Sequence, residues 1–302
     1  MRKILTLLMT LLLAGWSFNA LSTSCKTRAG AQIPPNSGGG TANVYISLDP
    51  SIGTEQNLVI DLSTQIFCMN EIPDNYTDYL SLGESSTFGG VLKNFRGVAV
   101  YDGSLYAFPN AVETKKKVYK STDFEPWPLA LYLTPIGAAG GVVVNAGELI
   151  AILRLHQTNN FGDSHYFTWN LYANNNVVVP TGGCNVSARD VTVTLPDYPS
   201  SIEIPLSVYC AQNQNLEFYV SGLTTDSANS IFTNTASASP AGGIGVQLKH
   251  KGSVLSTSNT VSLGTVGTSA VDLGLTATYA RTTGQVTAGN VQSIIGVTFV
   301  YQ

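Results

Sequence analysis

Ile295-Gly296-Val297-Thr298-Phe299-Val300-Tyr301-Gln302 reads as one β-strand. Ile295, Val297, Phe299 and Tyr301 alternate with Gly296, Thr298, Val300 and Gln302, the two-residue period that sends successive side chains to opposite faces of a sheet. Such a strand either docks in its own domain or is presented to another protein by edge addition.

Upstream the same period recurs and helical periodicity is nearly absent. Strands are expected at Asn43–Leu48, Leu58–Leu62, Val98–Tyr101, Leu129–Leu133, Leu149–Leu155, Phe167–Ala173 and Val177–Val179. They continue at Val191–Leu195, Ile202–Tyr209, Leu216–Val220 and Gly245–Lys249. Tyr101-Asp102-Gly103-Ser104, Pro135-Ile136-Gly137 and Lys249-His250-Lys251-Gly252 supply turns between them. Many short strands at this spacing predict an all-β chain of sandwich or barrel domains. Pro180-Thr181-Gly182-Gly183 is the best boundary: a proline at a strand end, then two glycines, breaks the pattern.

The length of 302 residues fits two domains. Only 11% of residues are charged against 44% hydrophobic, so the surface relies on neutral polar groups. Arg2 and Lys3, the apolar run Ile4–Leu13 and Ala20-Leu21-Ser22 have the layout of an export signal cut before Thr23. No later run is long and apolar enough to span a membrane. Losing Arg2 and Lys3 takes the formal charge from −4 to −6, and an acidic chain excludes nucleic acid as the expected partner. Lys115-Lys116-Lys117 is the one basic run and reads as a solvated strand edge or loop.

Export implies an oxidising compartment, so Cys25, Cys68, Cys184 and Cys210 are expected as disulfides. Three pairings are possible; proximity in sequence favours Cys25–Cys68 and Cys184–Cys210, each contributing about 3–4 kcal/mol by loop entropy. No C-x-x-C is present and His156, His165 and His250 lack zinc spacing, so neither a metal nor another cofactor is expected. Catalytic motifs for a serine hydrolase, a zinc protease or a nucleotide enzyme are missing as well, and the chain is not expected to be an enzyme.

Three stretches resemble the type 1 fimbrial tip adhesins in their pilin domain: Cys184-Asn185-Val186-Ser187-Ala188-Arg189-Asp190-Val191 through Pro196-Asp197-Tyr198-Pro199, Ile231-Phe232-Thr233-Asn234-Thr235-Ala236, and Gly289 through Gln302. Asp61-Leu62-Ser63-Thr64-Gln65-Ile66-Phe67-Cys68, Ala130-Leu131-Tyr132-Leu133-Thr134-Pro135 and Gln157-Thr158-Asn159-Asn160 resemble that family's lectin domain. The resemblance implies a signal peptide over 1–22, an elongated β-sandwich lectin domain over 23–180, a linker over 181–183 and an immunoglobulin-like pilin domain over 184–302 that lacks its last strand. It implies a route through the periplasm to the pilus tip at the cell surface. The implied partners are a periplasmic chaperone, the outer-membrane usher and an adjacent tip subunit, with Gly289, Ile295, Val297, Phe299 and Tyr301 in the subunit-contact strand. The implied ligand is a host glycan, terminal mannose foremost, carried on a glycoprotein.

Matched residue by residue, the family's sugar pocket falls on Thr23, Asn70, Glu71, Asp78, Gln157, Asn159 and Asp163, with a rim of Pro35, Ile72, Tyr76, Phe161 and His165. The chemistry suits a hexose, whose hydroxyls each donate and accept, against carboxylates that accept and amides that do both. This chain departs from the pattern at Thr23, where the family has Phe, at Met69 for His, at Glu71 for Asp, and at His165 for an aromatic ring. Those changes leave a second expectation open: a structural tip or adaptor subunit whose pocket is degenerate or retargeted.

Overall fold

A computed structural model of the chain describes residues 23–34, 40–137 and 139–301. The expected signal segment and rim residue Pro35 lie outside the described residues. Strands dominate; the only helical turns among the described residues are two three-residue 3-10 segments, Leu62–Thr64 and Gly90–Leu92. The chain is all-β, as the alternation predicts.

It divides into two compact units. The first comprises Met1–Leu48, Ile60–Tyr132 and Val144–Asn176; the second comprises Asp49–Val59, Leu133–Val143 and Val177–Gln302.

In the first unit, strand Thr23–Thr27 pairs antiparallel with Ile66–Asn70, which sets Cys25 opposite Cys68 and closes the first disulfide. A second sheet is built on the long hairpin of Leu149–Asn159 and Ser164–Ala173. Asp78–Leu82 pairs with one side of that hairpin, Lys117–Tyr119 pairs beyond it, and Thr41–Ile46 adds parallel to the other side. Strand Gly97–Tyr101 turns into Ser104–Phe108 through Asp102 and Gly103, both at positive φ, the geometry a two-residue hairpin turn requires. Trp127 and Trp169 meet edge to face at 4.9 Å in the core, with Tyr101 edge-on to Trp127. Both indoles are fully buried, as core anchors should be.

The lysine run flanks and enters an edge strand. Lys115 pairs with Asp102 at 3.1 Å, Lys117 with Glu125 at 2.8 Å, and Lys116 donates to Thr158 Oγ1. That is the solvated strand edge expected from the sequence.

In the second unit, Cys184 sits opposite Cys210 across the pair Cys184–Val186 and Ser207–Cys210, closing the second disulfide. One sheet orders Ser201–Ile204, Leu275–Arg281, Ile244–His250 and Ile231–Phe232; another orders Thr260–Val266, Gln214–Ser221 and Gly296–Tyr301. Leu216, Phe218, Phe232, Leu248 and Leu275 fill the space inside. Val191–Leu195, expected as a strand, joins no ladder. It keeps the alternation, with Val191, Val193 and Leu195 turned partly inward and Thr192 and Thr194 exposed, but it borders a groove instead of a neighbouring strand.

Candidate functional site

The expected pocket residues come from four segments that the sheets bring together. Pairing of Thr23–Thr27 with Ile66–Asn70 places Thr23 opposite Asn70. Pairing of Asp78–Leu82 with the long hairpin places Asp78 opposite Asn159. The two pairs are tied by side chains: Thr23 Oγ1 donates to Asp78 Oδ2 at 2.8 Å, and Gln157 Nε2 donates to Thr23 Oγ1 at 3.0 Å. Thr23, Asn70, Asp78 and Gln157 are all buried. A buried carboxylate is stable only with such donors around it.

Asn70 is held by the backbone around it. Its amide donates to the carbonyls of Tyr76 and Tyr119, at 2.7 and 3.2 Å, and its Oδ1 accepts from the Ile72 N–H at 2.9 Å. Both amide hydrogens are thereby used, and Asn70 fixes the loop from Glu71 to Thr77. Glu71 is exposed at the start of that loop.

At the hairpin tip, Asn159 Nδ2 donates to Asp163 Oδ2 at 2.8 Å, while Asn159 Oδ1 accepts from the N–H groups of Phe161 and Asp163. Asn160 Oδ1 accepts from the Thr77 N–H at 2.8 Å, fastening the tip to the neighbouring loop. Tyr76 and Phe161 meet edge to face at 5.2 Å, and Phe161 is 69% exposed. Ile72 lies on the same loop as Tyr76, half-buried. His165 faces Gln157 across the hairpin, also half-buried. Buried acceptors and amides beside an aromatic pair with one exposed ring suit a neutral, polyhydroxylated ligand. Among the described residues no three His, Cys, Asp or Glu side chains converge as a metal site.

Two features escaped the sequence. Thr23 is expected in the pocket as a departure from the family's Phe, and its hydroxyl joins Asp78 to Gln157. Behind the site, His156 connects Glu113 to Ser164. Strand alternation puts His156 on the face opposite Gln157, but nothing in the sequence indicates a partner 43 residues away.

The second unit holds a groove of about 680 Å³ lined by Val191, Leu206, Leu248, Val291, Val297 and Phe299 among others. Gly296–Tyr301 pairs with Gln214–Ser221 along one edge, with Phe299 opposite Phe218 and Tyr301 opposite Leu216. Among the described residues no strand pairs with its other edge. Ile295 packs against the core just before this strand. Gly289 sits where a Cβ would lie 2.5 Å from the Ser239 carbonyl oxygen and the Ala241 nitrogen, so only glycine fits.

The chain has clear relatives among known proteins. Residues 25–170 match the family model described as FimH, mannose binding. The chain is 63% identical over 303 residues to the type 1 fimbrin D-mannose specific adhesin of Escherichia coli K12, covering all of both chains. It is 38% identical over 278 residues to the S-fimbrial protein subunit SfaH of Escherichia coli O6:K15:H31, covering 87% of this chain and 92% of that one. Among solved structures, the CupB6 tip adhesin of Pseudomonas aeruginosa is similar at 13% identity and a TM-score of 0.30, covering 92% and 94% of the two chains, a likeness too loose to carry an argument. The chain belongs to the type 1 fimbrial adhesin family, whose members are lectins and not enzymes.

Proposed function

We propose that the chain is a fimbrial tip adhesin that binds terminal mannose on host glycoproteins. The observation that carries this reading is the buried Thr23–Asp78–Gln157 cluster, hydrogen-bonded end to end beside the Tyr76–Phe161 pair, of which Phe161 is exposed. Asp78, Gln157, Asn159 and Asp163 bind sugar hydroxyls, Asn70 holds the adjoining loop, and Ile72, Tyr76 and Phe161 form the rim, with Glu71 and His165 at its margins. Cleavage before Thr23 frees an amine next to Asp78, which adds a charged donor to the cluster. A site that pairs every hydroxyl rejects epimers, because a misplaced hydroxyl leaves buried groups unpaired.

Residues 23–180 then serve as the lectin domain, 181–183 as linker and 184–302 as the pilin domain. The pilin groove receives a strand from a periplasmic chaperone and afterwards from the adjacent tip subunit, with the outer-membrane usher between the two events. An apolar groove beside an unpaired strand edge is costly until an incoming strand fills it. The working location is the pilus tip at the cell surface.

The test is calorimetric binding of methyl α-mannoside to the full mature chain, co-expressed with a pilus chaperone, beside Asp78→Asn. Binding that the variant abolishes supports the reading. A folded chain that binds no mannoside has a retargeted or degenerate pocket, and a glycan panel then decides between those two.

A further inference from the structure

We propose that Glu113, His156 and Ser164 form a relay that positions the hairpin carrying Gln157, Asn159 and Asp163, and that the relay tightens when His156 is protonated. The ring of His156 is nearly buried on the face of the sheet opposite Gln157. Its Nδ1 lies 2.8 Å from Glu113 Oε1 and its Nε2 lies 2.8 Å from Ser164 Oγ. Tyr166 stacks on the imidazole at 4.1 Å and nearly parallel, and Arg154 lies over the Tyr166 ring at 4.3 Å. Ser164 follows Asp163 directly and faces Thr158 across the hairpin, so the relay grips the tip within one residue of two expected ligand contacts.

Proton bookkeeping fixes how the relay works. Burial raises the Glu113 carboxyl, but hydrogen bonds from Ser81 and His156 and the charges of His156 and Lys116 outweigh it, and the group sits below the ordinary carboxylate range. Glu113 is therefore an acceptor only, and His156 Nδ1 keeps its proton in either state. With a neutral ring, Nε2 is bare and the Ser164 hydroxyl must donate to it. With a charged ring, Nε2–H donates to Ser164, whose own hydrogen is released outward toward the tip. The bond to Glu113 is charge-assisted in both states; the bond to Ser164 becomes charge-assisted only with the charged ring, and is then about twice as strong.

The charged groups near His156 are few. Glu113, on the segment leading to Lys117–Tyr119, is the one in direct contact with the ring. Lys116 on that segment is hydrogen-bonded to Thr158, and Arg154, on the same strand as His156, lies over the Tyr166 ring.

That a firmer tip tightens ligand binding rests on the sugar-binding reading above; the relay itself does not. The experiment measures hydrogen-exchange protection factors of amides 159–164 in the full chain, co-expressed with a pilus chaperone, from pH 8 to 5.5, the range in which histidines titrate. Protection is expected to rise about fivefold as pH falls, the gap between a charge-assisted and a neutral hydrogen bond. It is expected to stay flat in His156→Gln and in Glu113→Gln, the second variant covering any failure of the first to fold. Equal pH slopes in wild type and variants overturn the relay. Methyl α-mannoside affinity, titrated in the same samples, is expected to rise about fivefold in wild type alone. Tight binding that ignores pH while protection changes overturns the link to the site. Protection that changes with no mannoside binding at any pH supports the relay and removes the mannose reading.

Discussion

Replacing Asn70 with Ala tests the loop-holding role that the structure gives this side chain. The change removes two hydrogen bonds to the carbonyls of Tyr76 and Tyr119 and one from the Ile72 N–H. Asn70 is fully buried, so water does not simply take its place. Three neutral hydrogen bonds at about 0.5–1.5 kcal/mol net each come to about 3 kcal/mol. The chain carries a favourable reporter. Of its three tryptophans, Trp16 belongs to the expected signal segment, and Trp127 and Trp169 are both buried in the first unit. Urea unfolding of the mature chain followed by tryptophan fluorescence therefore reads the first unit alone. With a slope of about 2 kcal/mol per molar urea, the midpoint falls by roughly 1.5 M at unchanged slope. A loss below about 1 kcal/mol would refute the reasoning, because it would mean the loop holds its shape without Asn70.

Gln157→Ala removes the hydrogen bond to Thr23 Oγ1 and one amide from the pocket, and methyl α-mannoside affinity should fall at least about tenfold in calorimetry, from one lost hydrogen bond of about 1.5 kcal/mol. Glu113 has a folded-state pKa below its ordinary value, held there against burial by Ser81, His156 and Lys116. Its stabilisation is therefore complete above the unfolded value of about 4.3 and is lost as pH falls through that value and below. Glu113→Gln should lower the unfolding free energy read from urea curves at pH 7 by no more than about 1 kcal/mol, since the group is only half-buried and solvent screens it, and the difference from wild type should vanish toward pH 3. Exchanging Cys184 and Cys210 together for Ser opens a loop of 26 residues and should destabilise the second unit by about 3 kcal/mol, read as faster proteolysis there with the tryptophan transition unchanged.

Much of the fold was legible because strand alternation is local. Leu129–Leu133 lies where the pattern puts it, and Asn43–Leu48 is displaced by two residues. The hairpin strands Leu149–Leu155 and Phe167–Ala173 both extend further, to Asn159 and from Ser164. The added residues are polar and include the expected ligand contacts, so their own chemistry hid the strand. Val191–Leu195 shows the reverse case: its alternation is real, but a ladder also needs a neighbour, which the pattern cannot supply. At the site, the matched positions named residues and not their bonds. Asn70 as a brace and the Thr23 hydroxyl as a bridge depend on register between strands tens of residues apart. The Glu113–His156–Ser164 relay was invisible for the same reason.

Two strand edges of this chain face opposite demands. Lys117–Tyr119 ends its sheet with lysines before and within it, and these are paired with Asp102 and Glu125 or bonded to Thr158. An incoming strand would have to break those contacts and bury the charges, so this edge resists addition. Gly296–Tyr301 has no charged residue, and its open side borders a groove lined by Val191, Leu206, Leu248 and Val297. An incoming strand there gains backbone hydrogen bonds and buries apolar surface at once. On the proposed function, the edge at Gly296–Tyr301 is the one suited to a donated strand, and the lysine-bearing edge at Lys117–Tyr119 is not, because there the backbone bonds gained would be offset by ion pairs broken and charges buried.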